Sequence, residues 1–427
     1  MMQNPRIKSA QIIQSILEEK IFFADIKNNI GEKDLPFVNM LILTSLRKWN
    51  ALNFILDDLL IKKIPNKHRF SKYLILLAIN EILFLNTPDY AVINETVKNV
   101  KISCGKVLSG LANAILRKVV NQKEMFLENI NHLSNIPSTF KPILAGYSEE
   151  IINKISESIS ITPPLDITVK DNHSLWAKKL NATILPNGSL RIIDNVQISK
   201  LEGFQNGEWW VQDAASSLPA MLFENIDNKK VIDLCAAPGG KTAQLLAMGA
   251  EVTALDISEK RLDKLKKNIT RLGFNKIKTI AIDALDFMQN SNEKFDAILL
   301  DAPCSATGTF RRHPEVLHIK TDEDVKKAVE LQNKLLTACK NILNVGGTLI
   351  YSVCSISKQE GEIQIENFLK EEKCFEIIPI KETDINKFGQ WEDNFILSNG
   401  MLRTLPYYEN EKKGIDSFFI CKMKRII

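Results

Sequence analysis

Cysteine pairs are missing from this chain. Its seven cysteines, Cys104, Cys235, Cys304, Cys339, Cys354, Cys374 and Cys421, form no C-x-x-C couple. Neither a zinc motif nor a disulfide framework is therefore expected. Taken singly, each reads as a small buried hydrophobe kept as a thiol by a reducing compartment. The five histidines show no metal-ligand spacing, and no metal is expected. Long apolar runs are missing too. None approaches the roughly 20 residues that span a bilayer, so no membrane partner is expected. The first residues, Met-Met-Gln-Asn-Pro-Arg, lack the apolar core of a signal peptide; a cytoplasmic location follows as an expectation. Also lacking are the G-x-G-x-x-G fingerprint of dinucleotide sites and the spacing of a Walker loop. Pyrophosphate chemistry is thereby disfavoured.

What the chain does have is length and an uneven charge. At 427 residues, 45% apolar and 25% charged, it is ordinary globular material for two or three domains. Residues 1–130 hold 18 Lys and Arg against 12 Asp and Glu, whereas residues 131–427 hold 37 against 39. The basic excess therefore sits in the N-terminal third, the natural place for nucleic-acid contact. That third reads as all-helical. Leu76, Ile79 and Leu83 recur at helical spacing, as do Leu108, Leu111 and Ile115. Pro88 divides the first pattern. A helical bundle over 1–130 is predicted.

Prolines 137, 142, 163 and 164 punctuate the next part, 131–205. It reads as a linker and small α+β connector: a strand LDITVK (165–170), a short helix near Leu175–Leu180 and a hairpin around Pro186-Asn187-Gly188. From 206 to 427 strands and helices alternate. The strands are VIDLCA (231–236), VTALDI (252–257), TIAIDA (279–284), FDAILLDA (295–302) and GTLIYSVC (347–354). The helix before the last one opens at Thr321 with Asp324 three residues on. This is the pattern of an α/β, Rossmann-like domain with a mostly parallel sheet, whose ligands bind at the carboxyl ends of the strands.

Candidate site residues fall at those ends. Cys235, Ala236, Ala237, Pro238, Gly239, Gly240 and Lys241 join the first strand to its helix, and the glycine pair lets backbone approach a ligand. Asp256, Asp283 and Asp301 end the next three strands. A carboxylate on a ribose and another on an adenine amino group suit a nucleoside cofactor without phosphate, for which S-adenosylmethionine is the natural candidate. Cys304 and Cys354 follow neighbouring strands. A thiol at the rim points to methylation of carbon: thiolate addition at carbon 6 of a pyrimidine makes carbon 5 nucleophilic. Asp301 would then hold the base, which must be unstacked to be reached. Arg311-Arg312-His313, just beyond, suit RNA phosphate or an exposed charged surface equally.

Three stretches, CAAPGGKT (235–242), DAPCSATGTFRRHPE (301–315) and YSVCS (351–355), resemble the RNA cytosine-5 methyltransferases. RIKSAQIIQSIL (6–17), NTPDYAVINE (86–95) and ANAILRKVV (112–120) resemble the NusB-like RNA-binding domain. Together they resemble the bacterial 16S rRNA cytosine-5 methyltransferases of the RsmB (Sun) type, over nearly the whole chain. The resemblance implies an all-α NusB-like bundle, a small connector and a class I S-adenosylmethionine-dependent catalytic domain. It assigns Cys354 as the nucleophile and Cys304 to product release, and gives the 235–241 turn with Asp256, Asp283 and Asp301 to the cofactor or base. It implies 16S rRNA as partner, with cytosine 967 as target. Lys241, Arg311 and Arg312 are the candidate RNA contacts, and a monomer is expected. Val353 departs from the family's usual Thr before the nucleophile. Two rival readings are the same chemistry on tRNA or another rRNA site, and a non-catalytic assembly factor.

Overall fold

Helical spacing in the first third becomes a packed bundle in the computed structural model, which describes residues 4–26, 30–85, 87–194 and 196–427. Asn86 of the NTPDYAVINE stretch lies outside the described residues. The chain divides into two units. The first comprises Met1–Pro142, Ser148–Ser160 and Arg312–Thr321; the second comprises Ile143–Tyr147, Ile161–Arg311 and Asp322–Ile427.

In the first unit the helices Pro5–Glu19, Leu35–Arg47, Trp49–Leu59, Arg69–Phe84, Asp89–Cys104 and Lys106–Asn121 turn their apolar faces together. Asn4 starts the first by accepting from the Arg6 amide at 2.9 Å, with Pro5 at the opening position. Leu76, Ile79, Leu108 and Ile115 are buried, while Leu83 and Leu111 pack at the edge of the same core. A bidentate pair of 2.8 and 2.7 Å joins Arg6 to the fully buried Glu81, satisfying a charge that burial would otherwise penalise.

Two additions to this bundle escape the sequence pattern. The helix Glu149–Ile159, capped by Ser148, belongs to the first unit although it follows the proline-marked stretch. So does Arg312–Thr321, which carries the short helix Val316–Ile319. Ile319 enters the helical core. The His318 ring stands edge-on to Trp49, and its Nε2 lies 2.9 Å from the Leu46 carbonyl. Because a carbonyl only accepts, Nε2 carries the proton and donates.

The second unit holds two sheets. The smaller comprises β1 (Leu165–Val169), β2 (Thr183–Ile184), β3 (Leu190–Ile192) and β4 (Trp209–Val211), in the order β2-β3-β1-β4. Its fourth strand comes from GEWWVQDAASSLPA, past residue 205. Asp166 and Arg191, opposite one another in register, form a buried bidentate pair at 2.7 Å.

The larger sheet comprises β5 (Lys230–Leu234), β6 (Glu251–Asp256), β7 (Ile277–Ala281), β8 (Phe295–Asp301), β9 (Leu343–Val353), β10 (Phe375–Ile377), β11 (Leu402–Arg403) and β12 (Phe419–Arg425). The order is β10-β12-β9-β8-β5-β6-β7, with β11 beside β12. Strands β5 to β9 pair in parallel and β12 closes antiparallel on β9. Buried apolar runs such as AILL in β8 suit strands covered on both faces. From β5 the chain winds one way through β6 and β7, then returns to β8 and winds the other way to β9. The crevice between β5 and β8 is thus the topological switch point, where sheets of this kind bind ligands. No helix among the described residues is long and apolar enough to cross a membrane.

Burial lowers the pKa of His318 to about 4, against a smaller opposing effect of the Leu46 hydrogen bond. The folded ring is therefore neutral while the unfolded ring takes up a proton near its ordinary value of 6.5. Its contribution is present above pH 6.5 and fades as pH falls toward 4. Urea midpoints of the full chain at pH 7 and pH 5 should drop more in the wild type than in His318→Gln; equal drops would contradict this.

Candidate active site

The turn at the switch point is built by its glycine. Cys235 leaves β5 in the left-handed region, and Gly239 (φ 99°) caps the helix Gly240–Ala247. A Cβ on Gly239 would lie 2.7 Å from Cγ of Leu265, so only glycine fits there. Asp256 at the end of β6 is buried and accepts from the amides of Ala237 (3.2 Å) and Ser258 (2.9 Å). Its carboxylate thus fixes the Ala237 stretch of the turn. Arg261 reaches both Asp256, at 3.4 Å, and the Ala237 carbonyl.

Asp283 has a role that its position as a strand-end acid did not suggest. It lies two residues past β7, and its Oδ1 accepts from the amides of Leu285 and Asp286, capping the helix Ala284–Asn290. An acid at this position has a structural use independent of any ligand. At the carboxyl end of β8, Asp301 pairs through Oδ2 with Lys241 (2.8 Å) and accepts from Ser352 Oγ through Oδ1 (2.9 Å). Lys241 is buried, also donates to Ser216 Oγ (3.1 Å), and lies over the Phe418 ring. Burial pushes its pKa down, but the charge and hydrogen bond of Asp301, with Cys354 and Asp233 behind, outweigh it and hold the ammonium above its usual range.

Beneath the turn, Asp233 is fully buried. Its Oδ2 accepts from Thr242 Oγ1 at 2.6 Å while Oδ1 has no partner. Burial raises it to about 7, opposed by Thr242 and helped by Asp301. An orphaned buried acceptor among strand-end carboxylates suits a ligand bearing an ammonium and hydroxyls. The cations here, Lys241 and Arg261, are already committed to Asp301 and Asp256. The donor set therefore fits an amino-acid nucleoside better than a phosphate.

Register brings the thiols together. Asp301 lies opposite Ser352 across β8 and β9, so Cys304 and Cys354 start their loops side by side. Their sulfurs are 3.3 Å apart, both are half-buried, and both are free thiols. The hydrogen bond to Cys354 raises the Cys304 pKa well above the usual value, and burial and the Cys354 and Glu360 charges add to it. Cys304 thus keeps its proton, and Cys354 lies beside it within the field of Lys241. Cys235 is instead pushed up to about 12, chiefly by burial, and stays an inert thiol in the turn.

The arginines need correction. Arg311, expected among the RNA contacts, is fully buried; its guanidinium lies 3.4 Å from Asp416 and donates to the Lys413 carbonyl. It fastens the loop to the C-terminal segment and has no surface for phosphate. Arg312 is half-buried at the start of the segment assigned to the first unit. Residues that sequence reasoning passed over include Asp233, Ser216, Arg261 and Ser352. Only Asp233 carried a signal, as an acid inside an otherwise apolar strand.

An α/β sheet with this order and a glycine turn at its switch point is the architecture of a methyltransferase domain. Residues 220–424 match the family described as 16S rRNA methyltransferase RsmB/F, and residues 3–121 match the NusB family. The ribosomal RNA small subunit methyltransferase B of Proteus mirabilis is 31% identical over 376 residues, 84% of this chain and 89% of that protein. The chain belongs to that methyltransferase family. Among solved structures, PH0851 superposes with a TM-score of 0.74 over 100% of both chains at 20% identity. NSun6 from Pyrococcus horikoshii, solved with SFG, gives 0.57 over 68% of this chain and 98% of its own, at 21% identity. At such identities both likenesses speak for the fold.

Gly308 sits where the two thiol loops meet the C-terminal segment. Its amide donates to the Cys354 carbonyl and its carbonyl accepts from the Ser417 amide, each at 3.0 Å. A Cβ there would fall 2.0 Å from the Ser417 carbonyl oxygen and 3.1 Å from the Cys354 carbonyl carbon. Gly308→Ala should cost about 1–3 kcal/mol of stability. It should lower methyl transfer more than cofactor binding, as read by unfolding, calorimetry and a radiolabel assay.

Proposed function

We propose that this chain transfers a methyl group from S-adenosyl-L-methionine to carbon 5 of a cytosine in 16S rRNA, cytosine 967 in the usual bacterial numbering, through a covalent adduct with Cys354. The observation that carries the reading is the 3.3 Å approach of two thiols on neighbouring strand ends. The turn Cys235–Lys241, with Asp256, Asp283 and Asp301 around it, would hold the cofactor. Bound there, S-adenosylmethionine supplies an electrophilic methyl group. The family relationship and the NusB-like helical unit support RNA as the substrate.

The chain's own residues then divide the work. Cys354 adds as thiolate to carbon 6, forming a carbon–sulfur bond and pushing the displaced electron pair toward carbon 5. As the adduct forms, N3 takes a proton from water, and the new N3–H donates to Asp301, which still has unused lone pairs; N3 returns that proton to water when the adduct breaks down. Lys241 holds Asp301 in place at 2.8 Å. Once carbon 5 bears its methyl, a base takes the carbon-5 proton, the carbon 5–carbon 6 double bond reforms and the carbon–sulfur bond breaks. Cys304 receives the departing thiolate with its S–H, which makes Cys354 a better leaving group. Proximity, pre-set by two strand ends, supplies much of the rate.

Cys354→Ala should lower methylation by about a thousandfold or more and abolish the covalent RNA complex on a denaturing gel. Cys304→Ala should instead accumulate that complex and stall after about one turnover. Turnover by Cys354→Ala, or a Cys304→Ala enzyme that releases RNA freely, would overturn these roles. Bisulfite sequencing of treated 16S rRNA should show a single new 5-methylcytosine at position 967.

A further inference from the structure

Six positions beyond Cys354, Glu360 is wholly buried in the second unit. Its Oε1 accepts from the Ser305 amide at 2.8 Å and from Gln332 Nε2 at 3.0 Å. Its Oε2 accepts from the hydroxyls of Ser305 and Ser355, both at 2.5 Å. Ser305 directly follows Cys304, and Ser355 directly follows Cys354. Thr307 Oγ1 closes the ring, 2.9 Å from Ser305 Oγ and 3.0 Å from Ser355 Oγ. Gln332 reaches on to the Pro303 carbonyl at 3.0 Å, on the other side of Cys304.

We propose that Glu360 is a positioning residue for the reaction: one carboxylate that clamps the Cys304 and Cys354 loops together and sets the spacing of their sulfurs. The proposal rests on the reading above, in which both thiols serve one cytosine. A buried charge is expensive unless every lone pair is used, and here four donors use them. An apolar side chain could fill the same space, but it could not hold two separate loops by their hydroxyls. The carboxylate touches neither thiol, so its influence passes through the residue after each cysteine. Its charge has a second effect. It lies close enough to Cys304 to disfavour a thiolate there, so the same group that sets the spacing also keeps the two thiols chemically unequal.

The test uses the full chain with a 16S rRNA fragment. Glu360→Ala should lower kcat by about a hundredfold, the scale of a small misplacement of reacting groups, with KM for RNA and cofactor within about threefold. Ser305→Ala and Ser355→Ala each remove one hydroxyl donor without altering the carboxylate, Ser305→Ala leaving the backbone amide bond in place, so the result does not hang on the folding of one variant. Each should lower kcat, and adding either to Glu360→Ala should lower it little further, because all act through one clamp. Glu360→Gln keeps an acceptor but loses the charge. It should let Cys304 react with iodoacetamide at lower pH than in the wild type, as located by peptide mass spectrometry. Unchanged kcat in Glu360→Ala, fully multiplicative losses, or a loss matched by lost cofactor-binding stoichiometry would each overturn the proposal. Cys354→Ala separates the two readings. A covalent complex that survives Cys354→Ala sinks the nucleophile assignment. One that depends on Cys354 but forms at full rate in Glu360→Ala sinks only the clamp.

Discussion

The pairing of Asp301 with Ser352 is the constraint from which the site follows. Parallel strands leave no freedom once their register is set, and a one-residue slip would turn every side chain to the opposite face. With β8 and β9 fixed in this way, the residue after one strand and the residues after the other must begin their loops together. Two thiols fifty positions apart in sequence then meet because hydrogen bonds in the sheet place them there. The same register sets Ser352 against Asp301, so the carboxylate is oriented by the partner strand before any ligand arrives.

Around that constraint the site is held by charges in unusual places. Lys241, Asp233, Asp256 and Glu360 are buried, and each would be a liability alone. Their arrangement spreads the cost. Lys241 answers Asp301, Asp256 answers two backbone amides, and Glu360 answers four donors. Asp233 alone keeps an oxygen unanswered, and it lies directly beneath the turn where a ligand with donors would arrive. A site assembled from such pairs is rigid. It favours chemistry that depends on fixed distances over chemistry that depends on closure of a flexible lid.

Much of this was legible in the chain itself. The β5 to β9 alternation, the glycine turn and the acids at strand ends are local features, and periodicity and turn chemistry report local features well. The helical spacing of Leu76, Ile79, Leu108 and Ile115 likewise survived into the core. What was hidden depends on distant partners. Arg311 looks like an exposed cation because it opens a run of two arginines and a histidine; the fold instead sets it against Asp416, more than a hundred residues away. Asp283 reads as a ligand for a nucleoside, yet it also caps the next helix, a use visible only once the strand is seen to end at Ala281. The helix Glu149–Ile159 was masked by the prolines before and after it. Glu360 sits in a stretch, KQEGE, that looks like solvated charge, and only the fold shows it to be enclosed.

The segment Arg312–Thr321 has a further implication for how this protein can be divided. It emerges directly from the Cys304 loop, yet its Ile319 and His318 complete the helical unit. The bundle is therefore discontinuous in sequence, assembled from Met1–Pro142, Ser148–Ser160 and the much later strap Arg312–Thr321. A fragment cut at the first proline-rich stretch would not be an independent module, because the apolar seat of Ile319 and the ring beside Trp49 would be left empty. Insertions or fusions that respect the apparent linear boundary would break the fold, whereas those placed in surface turns of either unit would preserve it.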